Sequence, residues 1–343
     1  MIDEVTLLRE MLEIYSPSHE EARLAGYLRE RMAELGMRSS VDDAGNPVGE
    51  IGEGSREIVL IGHIDTVEGF IPVRQEGDLL YGRGAVDAKG PMAAFVLAAA
   101  RARPRDLRVV VIGAVEEEAA SSRGARHVAG RRHPHFAVVG EPSGWAGITL
   151  GYKGRLWIDY RLERPARHSA GPGRSACEDA IAFWNALSAY ADAFNRERKA
   201  FDTLDLSLRR INSAADGFRE QVEQLISLRV PLGFAPDELK QVVGRFAGDA
   251  RCFFSNEDPA FRADKNNALV RAFLQAIRAG GGEPKFKLKT GTSDMNVVGP
   301  AWRCPVVAYG PGDSSLDHTP DEHISISELQ RAVKVLVQVL ENL

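Results

Sequence analysis

Cysteine is scarce in this chain. Cys177, Cys252 and Cys304 are the only three in 343 residues. They are far apart, odd in number and form no CxxC pair. That argues against a disulfide framework and a thiolate zinc site, and it fits a reducing cytoplasm. Long apolar runs are also missing. The most apolar stretch, Met92 to Ala100, is far shorter than the roughly 20 residues a membrane span needs, so no membrane association is expected. In the opening MIDEVTLLREMLEIY, Asp3, Glu4 and Arg9 interrupt the apolar residues, unlike a secretory signal. There is no basic excess: Lys+Arg 43 stand against Asp+Glu 48, a net charge of −5. Nothing therefore calls for a nucleic-acid partner, whose footprint is usually a basic face. Repeats and low-complexity segments are absent. So is the GxGxxG spacing, since GRGAVDAKG resembles a glycine-rich phosphate loop only loosely, and a dinucleotide enzyme is disfavoured.

What is present is a globular chain, 44% hydrophobic, too long for one core to be the natural expectation. Val5, Leu8, Leu12 and Tyr15 share a helical face. Ser18, with Glu21 three residues on, reads as a capping box opening a second helix. Short apolar strands follow at 57–62, 107–114 and 136–140, with an alanine-rich helix from Pro91 to about Arg103. This alternation predicts an α/β fold with a mixed, largely parallel sheet. Near Gly151 the texture changes. Residues 154–162 alternate like a half-exposed strand, a helix spans 176–193, strands follow at 203–210 and 225–232, and Pro236 opens another helix. After about Asn256 the α/β texture returns, with a helix at 266–279 and a strand at 304–309. The expected organisation is a discontinuous catalytic domain, 1–150 with 257–343, and an inserted α+β lid at 151–256.

Ligands of such sheets bind beyond the carboxyl ends of the strands, and the chemistry-bearing residues fall there. GHIDTVEG holds His63 and Asp65, two apart and pointing the same way on an extended chain end. A carboxylate beside a metal-binding imidazole can take its second N–H; alternatively the pair is a turn histidine with a capping Asp. In YGRGAVDAKGPMAA, Asp87 is either a bridge between two cations or the cap of the helix that follows. In GAVEEEAASS, Glu116, Glu117 and Glu118 repel one another, so they need cations or solvent. One can ligate metal while its neighbour serves as general base. Glu141 follows the third strand, and GPGDSSLDHTPDEHI holds Asp317, His318, Asp321, Glu322 and His323. Each piece alone is weak. Together they put imidazoles and carboxylates on one edge, the mixed set that zinc or cobalt prefers.

GHIDTV, GRGAVDAKG, the EEE run, GEP, ARHSAGP, GTSD at 291–294 and the terminal DH stand in the order seen in the M20 metallopeptidase family, which the chain resembles over nearly its whole length. The resemblance implies two divalent cations, Zn2+ or Co2+, and roles for named residues. His63 and Glu141 would be terminal ligands of different metals, and Asp87 would bridge them. Glu118 and His318 would complete the set. Asp65 would orient His63, and Glu117 would be the general base. Where the family shows Asp-Glu-Glu this chain has Glu116 first; a register shifted by one would make Glu116 the base and Glu117 the ligand. His168, in ARHSAGP, resembles the lid histidine that reaches the other subunit's site in dimers of the family, so a homodimer is implied. Lys289, Thr292 and Ser293, in and beside GTSD, are candidate substrate contacts.

Within the family, GHIDTVEGFIPV, YGRGAVDAKGP and AVEEEAASSRGAR resemble the hydrolases that free lysine or ornithine from the amino-group carrier protein LysW. The bond cut would join the carrier's C-terminal glutamate γ-carboxyl to the α-amine of lysine. Lys285, Lys287 and Lys289, alternating with Phe286 and Leu288, and the basic residues Lys153, Arg155, Arg161, Arg164 and Arg167 suggest local positive surface for an acidic carrier. The lysines also read as a guarded edge strand. Two alternatives remain: a small-molecule deacylase acting on acetylornithine, acetyllysine or succinyl-diaminopimelate, and an inactive binding homologue.

Overall fold

The computed structural model describes residues 2–168 and 170–343 and divides into two compact units. The first comprises Met1–Gly151, Arg262–Leu288 and Ser293–Leu343; the second comprises Tyr152–Phe261 and Lys289–Thr292.

The sheet of the first unit runs in the order Arg38–Val41, Pro47–Ile51, Leu107–Ala114, Arg56–His63, Phe136–Gly140, Val306–Ala308, Gly147–Tyr152. Its middle is parallel, from Leu107–Ala114 across to Val306–Ala308. Pro47–Ile51 and Gly147–Tyr152 flank it antiparallel. Parallel strands covered on both faces read as continuous apolar runs. Arg56–His63, Leu107–Ala114 and Phe136–Gly140 do so, and each is buried along nearly its whole length.

The helix Lys89–Arg101 is buried on every side, which its small alanines permit by letting neighbours approach. It packs against Glu4–Glu13, Ile326–Asn342 and the strand Arg56–His63. Several helix starts carry side-chain caps. Asp3 accepts from the Thr6 N–H at 2.7 Å, Asn267 from Val270 at 2.9 Å and Ser325 from Glu328 at 3.2 Å. Among the described residues no helix is long and apolar enough to cross a membrane.

The second unit is a four-stranded antiparallel sheet in the order Asp205–Ala215, Arg219–Val230, Gly154–Pro165, Arg251–Asp258. Alternate residues Leu156, Ile158, Tyr160 and Leu162 line one face and pack with Phe183, Leu187, Leu239 and Val243 of the helices Ala176–Asn195 and Pro236–Ala247. Tyr160 stacks on Phe183 with centroids 4.5 Å apart. Ser175 and Glu178 form a capping box.

The structure departs from several local expectations. No helix begins at Ser18; the second helix is Ala22–Glu34. The Ser18 hydroxyl donates instead to the Asp65 carboxylate, and Glu21 accepts the N–H groups of His19 and Glu116. The strand expected at 304–309 is only Val306–Ala308. Lys153 and Arg155 are not surface cations. Lys153 is buried with its Nζ on the Thr203 carbonyl and the Asp205 carboxylate, and Arg155 pairs with the buried Asp258 at 2.6 Å. On Lys285–Lys289 the apolar alternates are open too, since Phe286 and Leu288 are exposed.

Candidate metal centre

His63 is the last residue of its strand and is buried. Its Nδ1 lies 2.9 Å from the Asp65 carbonyl oxygen and 3.5 Å from the Asp65 carboxylate. A carbonyl only accepts, so Nδ1 carries the proton. Nε2 is then left to present its lone pair to a cation. In the chain by itself that nitrogen lies 3.0 Å from Asp87 Oδ1. Burial opposes protonation of His63, but Asp65 and Asp87 raise its pKa well above the ordinary histidine value.

Asp65 is fully buried and takes hydrogen bonds on both carboxylate oxygens. Ser18 Oγ donates to Oδ2 at 2.7 Å and the Glu118 N–H to the same oxygen at 3.0 Å; the Glu117 N–H donates to Oδ1 at 3.1 Å. Burial works against its charge, yet His63, Ser18 and the Glu118 N–H hold it below the usual carboxylate range.

The three consecutive glutamates diverge. Glu116 has a left-handed φ of 59°, a costly conformation for this residue type that surrounding bonds must hold. Its side chain accepts from Ser121 Oγ at 2.5 Å and Arg123 Nη1 at 3.2 Å, and its own N–H donates to Glu21. Glu117 and Glu118 point the other way, each within a cluster that brings ligand atoms to within 4.8 Å of one another: His63 with Glu117 and Glu118, and Asp87 with Glu118 and His318. Burial pushes Glu117 well above the usual carboxylate range, and Glu141, Glu118 and Asp294 add to the rise against the opposing charge of His63.

Asp87 lies between two imidazoles, one oxygen to each. Its Oδ2 is 3.1 Å from His318 Nε2, which is also 2.9 Å from Glu118 Oε1. Burial opposes ionisation of Asp87, yet His318 and His63 hold it below its ordinary value. Asp87 and Glu118 in turn raise His318 to about 10. Two imidazoles thus face a crowd of carboxylates. Divalent cations fit that charge and donor set, with Asp87 presenting a separate oxygen on each side. The turn before Asp87 needs Gly84, whose φ is +88° and whose missing Cβ would fall 2.8 Å from the Thr66 methyl.

Glu141, just past Phe136–Gly140, is buried and close enough to perturb Glu117, but the clusters formed around His63 and His318 do not include it. Ser293 is buried in the first unit, with its N–H on Asn296 Oδ1 at 2.9 Å and its Oγ accepting from Met295 at 3.2 Å. Lys289, Thr292 and His168 belong to the second unit. Thr292 Oγ1 accepts from Arg229 at 3.1 Å, the Lys289 carbonyl accepts from the Lys153 N–H at 3.2 Å, and the exposed His168 accepts the Ala170 N–H on Nδ1 at 3.1 Å.

From sequence, Ser18 read only as a helix cap, Glu322 only as one polar residue of the His318 loop, and Asp294 only as the end of GTSD. GTSD flagged the neighbourhood of buried Asp294. Nothing local tied Ser18 to Asp65 or Glu322 to Asp87, partners that lie 47 and 235 residues away.

The profile of peptidase family M20/M25/M40 matches residues 59–342. A LysW-lysine hydrolase of Deinococcus radiodurans is 45% identical over 98% of this chain and 96% of its own length. A LysW-lysine/LysW-ornithine hydrolase of Sulfurisphaera tokodaii is 31% identical over 98% and 94%. Among solved structures, an M20 family metallo-carboxypeptidase of Sulfolobus solfataricus superposes with a TM-score of 0.82 at 19% identity, covering 100% of this chain and 99% of its own. The aminopeptidase PepT of Bacillus cereus gives 0.80 at 18%, covering 99% of each. These two likenesses concern the fold.

Proposed function

This chain belongs to peptidase family M20/M25/M40, and from that premise we propose that it is a two-metal amide hydrolase releasing lysine, or ornithine, from the C-terminal glutamate of the carrier protein LysW. The observation that carries the reading is the 45% identity, over nearly the full length of both chains, to a LysW-lysine hydrolase. The donor set supports the chemistry. His63, Asp87, Glu118, Glu141 and His318 are assigned as ligands, with Asp87 shared. Two cations, zinc or cobalt, would polarise the amide carbonyl and lower the pKa of water.

The chain's own residues do the rest. Asp65 fixes the tautomer of His63 and holds the backbone of the two catalytic glutamates. Glu117, half-buried beside His63 and free of the Ser121–Arg123 bonds that occupy Glu116, is assigned as general base. It takes a proton from the attacking water and returns it to the departing α-amine, and with the second water proton also passing to the amine, water and amide give a carboxylate and an ammonium group. His168, with its exposed ring, is assigned to the developing oxyanion, reached across a homodimer. Lys289, Thr292 and Ser293 are kept as substrate contacts. The three free thiols suit a cytoplasmic setting.

The test is substrate choice. LysW carrying lysine or ornithine on its terminal glutamate is compared with Nα-acetyl-lysine and acetylornithine, following amino-acid release. Release from the carrier alone supports the proposal. Release from the acetylated amino acids alone makes the chain a small-molecule deacylase.

A further inference from the structure

Glu322 lies four residues after His318 in sequence, on the same loop. It is fully buried, and its carboxylate uses all of its accepting capacity on one short segment. Oε2 accepts from Arg83 Nη1 at 2.9 Å and from the Gly84 N–H at 3.0 Å. Oε1 accepts from the Val86 N–H at 2.9 Å and the Asp87 N–H at 3.1 Å. Its backbone carbonyl takes the Gly82 N–H at 3.2 Å. Arg83 closes the arrangement by also donating to the Thr319 carbonyl at 3.2 Å.

One side chain therefore ties the loop that carries His318 to the loop that carries Asp87. It does so through the backbone of Asp87 itself. We propose that Glu322 is a positioning residue for the cation pair, holding Asp87 and His318 at a fixed separation so that a cation meets both preformed. The inference rests on the reading of this cluster as a cation centre. Only a carboxylate fits the position. A glutamine has one accepting oxygen, and its amide nitrogen would face buried N–H donors and leave them unpaired. An outer group of this kind typically changes metal affinity by about 10–100-fold.

The test uses Co2+ as probe, with the full-length wild type, Glu322→Gln, Glu322→Asp and the core variant Leu329→Ala, whose side chain is fully buried in the hydrophobic core. Cobalt affinity is read by competition with a chelator and by visible absorption. The thermal midpoint is read on metal-free protein. The expected result is an affinity at least about tenfold weaker for Glu322→Gln, an altered cobalt spectrum, and activity that recovers with excess metal. Leu329→Ala should lower the midpoint while keeping affinity within about twofold, since cavity formation in a core acts on stability.

Affinity and spectrum unchanged in Glu322→Gln overturn the proposal. So does a loss in Leu329→Ala that tracks its midpoint equally. If Glu322→Gln does not fold, Glu322→Asp, whose shorter reach cannot serve both loops, carries the comparison. If neither folds, Glu322 is a folding residue and the proposal fails. A wild type that takes up no cobalt sinks the metal reading itself, a distinct outcome.

Discussion

Asp65 accepts the backbone N–H of Glu117 on one carboxylate oxygen, at 3.1 Å, while its own carbonyl takes the Nδ1 proton of His63 at 2.9 Å. One residue thus sets the orientation of both His63 and Glu117. In Asp65→Asn one accepting oxygen becomes a donor facing an N–H group. We expect kcat to fall by about 10–100-fold with KM little changed, and metal affinity to fall by a similar factor. Ser18→Ala removes one donor only and should cost less. A KM rise with kcat intact in Asp65→Asn would show that Asp65 serves substrate binding instead.

The glutamate run separates two roles that adjacent positions would otherwise confuse. Glu117→Gln should retain bound metal and lose turnover by about 10²–10⁴-fold, the usual contribution of a general base. Glu116→Gln, which loosens the bonds to Ser121 and Arg123, should lose less than about tenfold in kcat and show its effect in thermal stability. Metal content and kcat on both variants check this. The reverse ranking would move the base to Glu116.

His318 faces Asp87 and Glu118 together. His318→Ala should therefore lower the cation stoichiometry, measured by elemental analysis after dialysis, from two per chain towards one. Retention of two would remove His318 from the ligand set.

The positive surface open to an acidic carrier is narrower than composition suggested. Lys153 and Arg155 are internal ion-pair partners, while Lys285 and Lys287 stay exposed. Reversing both lysines to glutamate should slow carrier turnover at low salt, with the difference closing as ionic strength rises. Release from a small acetylated amino acid, where it occurs, should not respond. An unchanged salt profile on the carrier would leave these lysines as edge-strand guards.

How legible the site was follows from distance along the chain. His63, Glu117 and Glu118, which the structure brings together, could be found because buried parallel strands are unbroken apolar runs, and the polar residues just past their ends stand out. Asp87 was marked by its glycines. Ser18 misled because a local rule makes a serine before an acidic residue a helix cap. Here the tertiary acceptor Asp65, 47 residues on, takes the hydroxyl. Glu322 was one acidic residue in a polar loop, and its partner Asp87 lies 235 residues away. The strand Arg38–Val41 was missed because it is a short edge strand, mostly exposed and polar, with no apolar alternation to read. Lys153 and Arg155 looked like surface charge because no sequence pattern reveals a counter-charge on a distant strand.

In the function proposed above, this cluster hydrolyses the carrier-linked amide through bound cations. The measurement that tests it most directly is lysine release from LysW-linked lysine by metal-stripped protein, titrated with Co2+. Turnover should be absent without metal, saturate near two equivalents per chain, and be lost on adding a chelator. Full turnover by the stripped protein would contradict it.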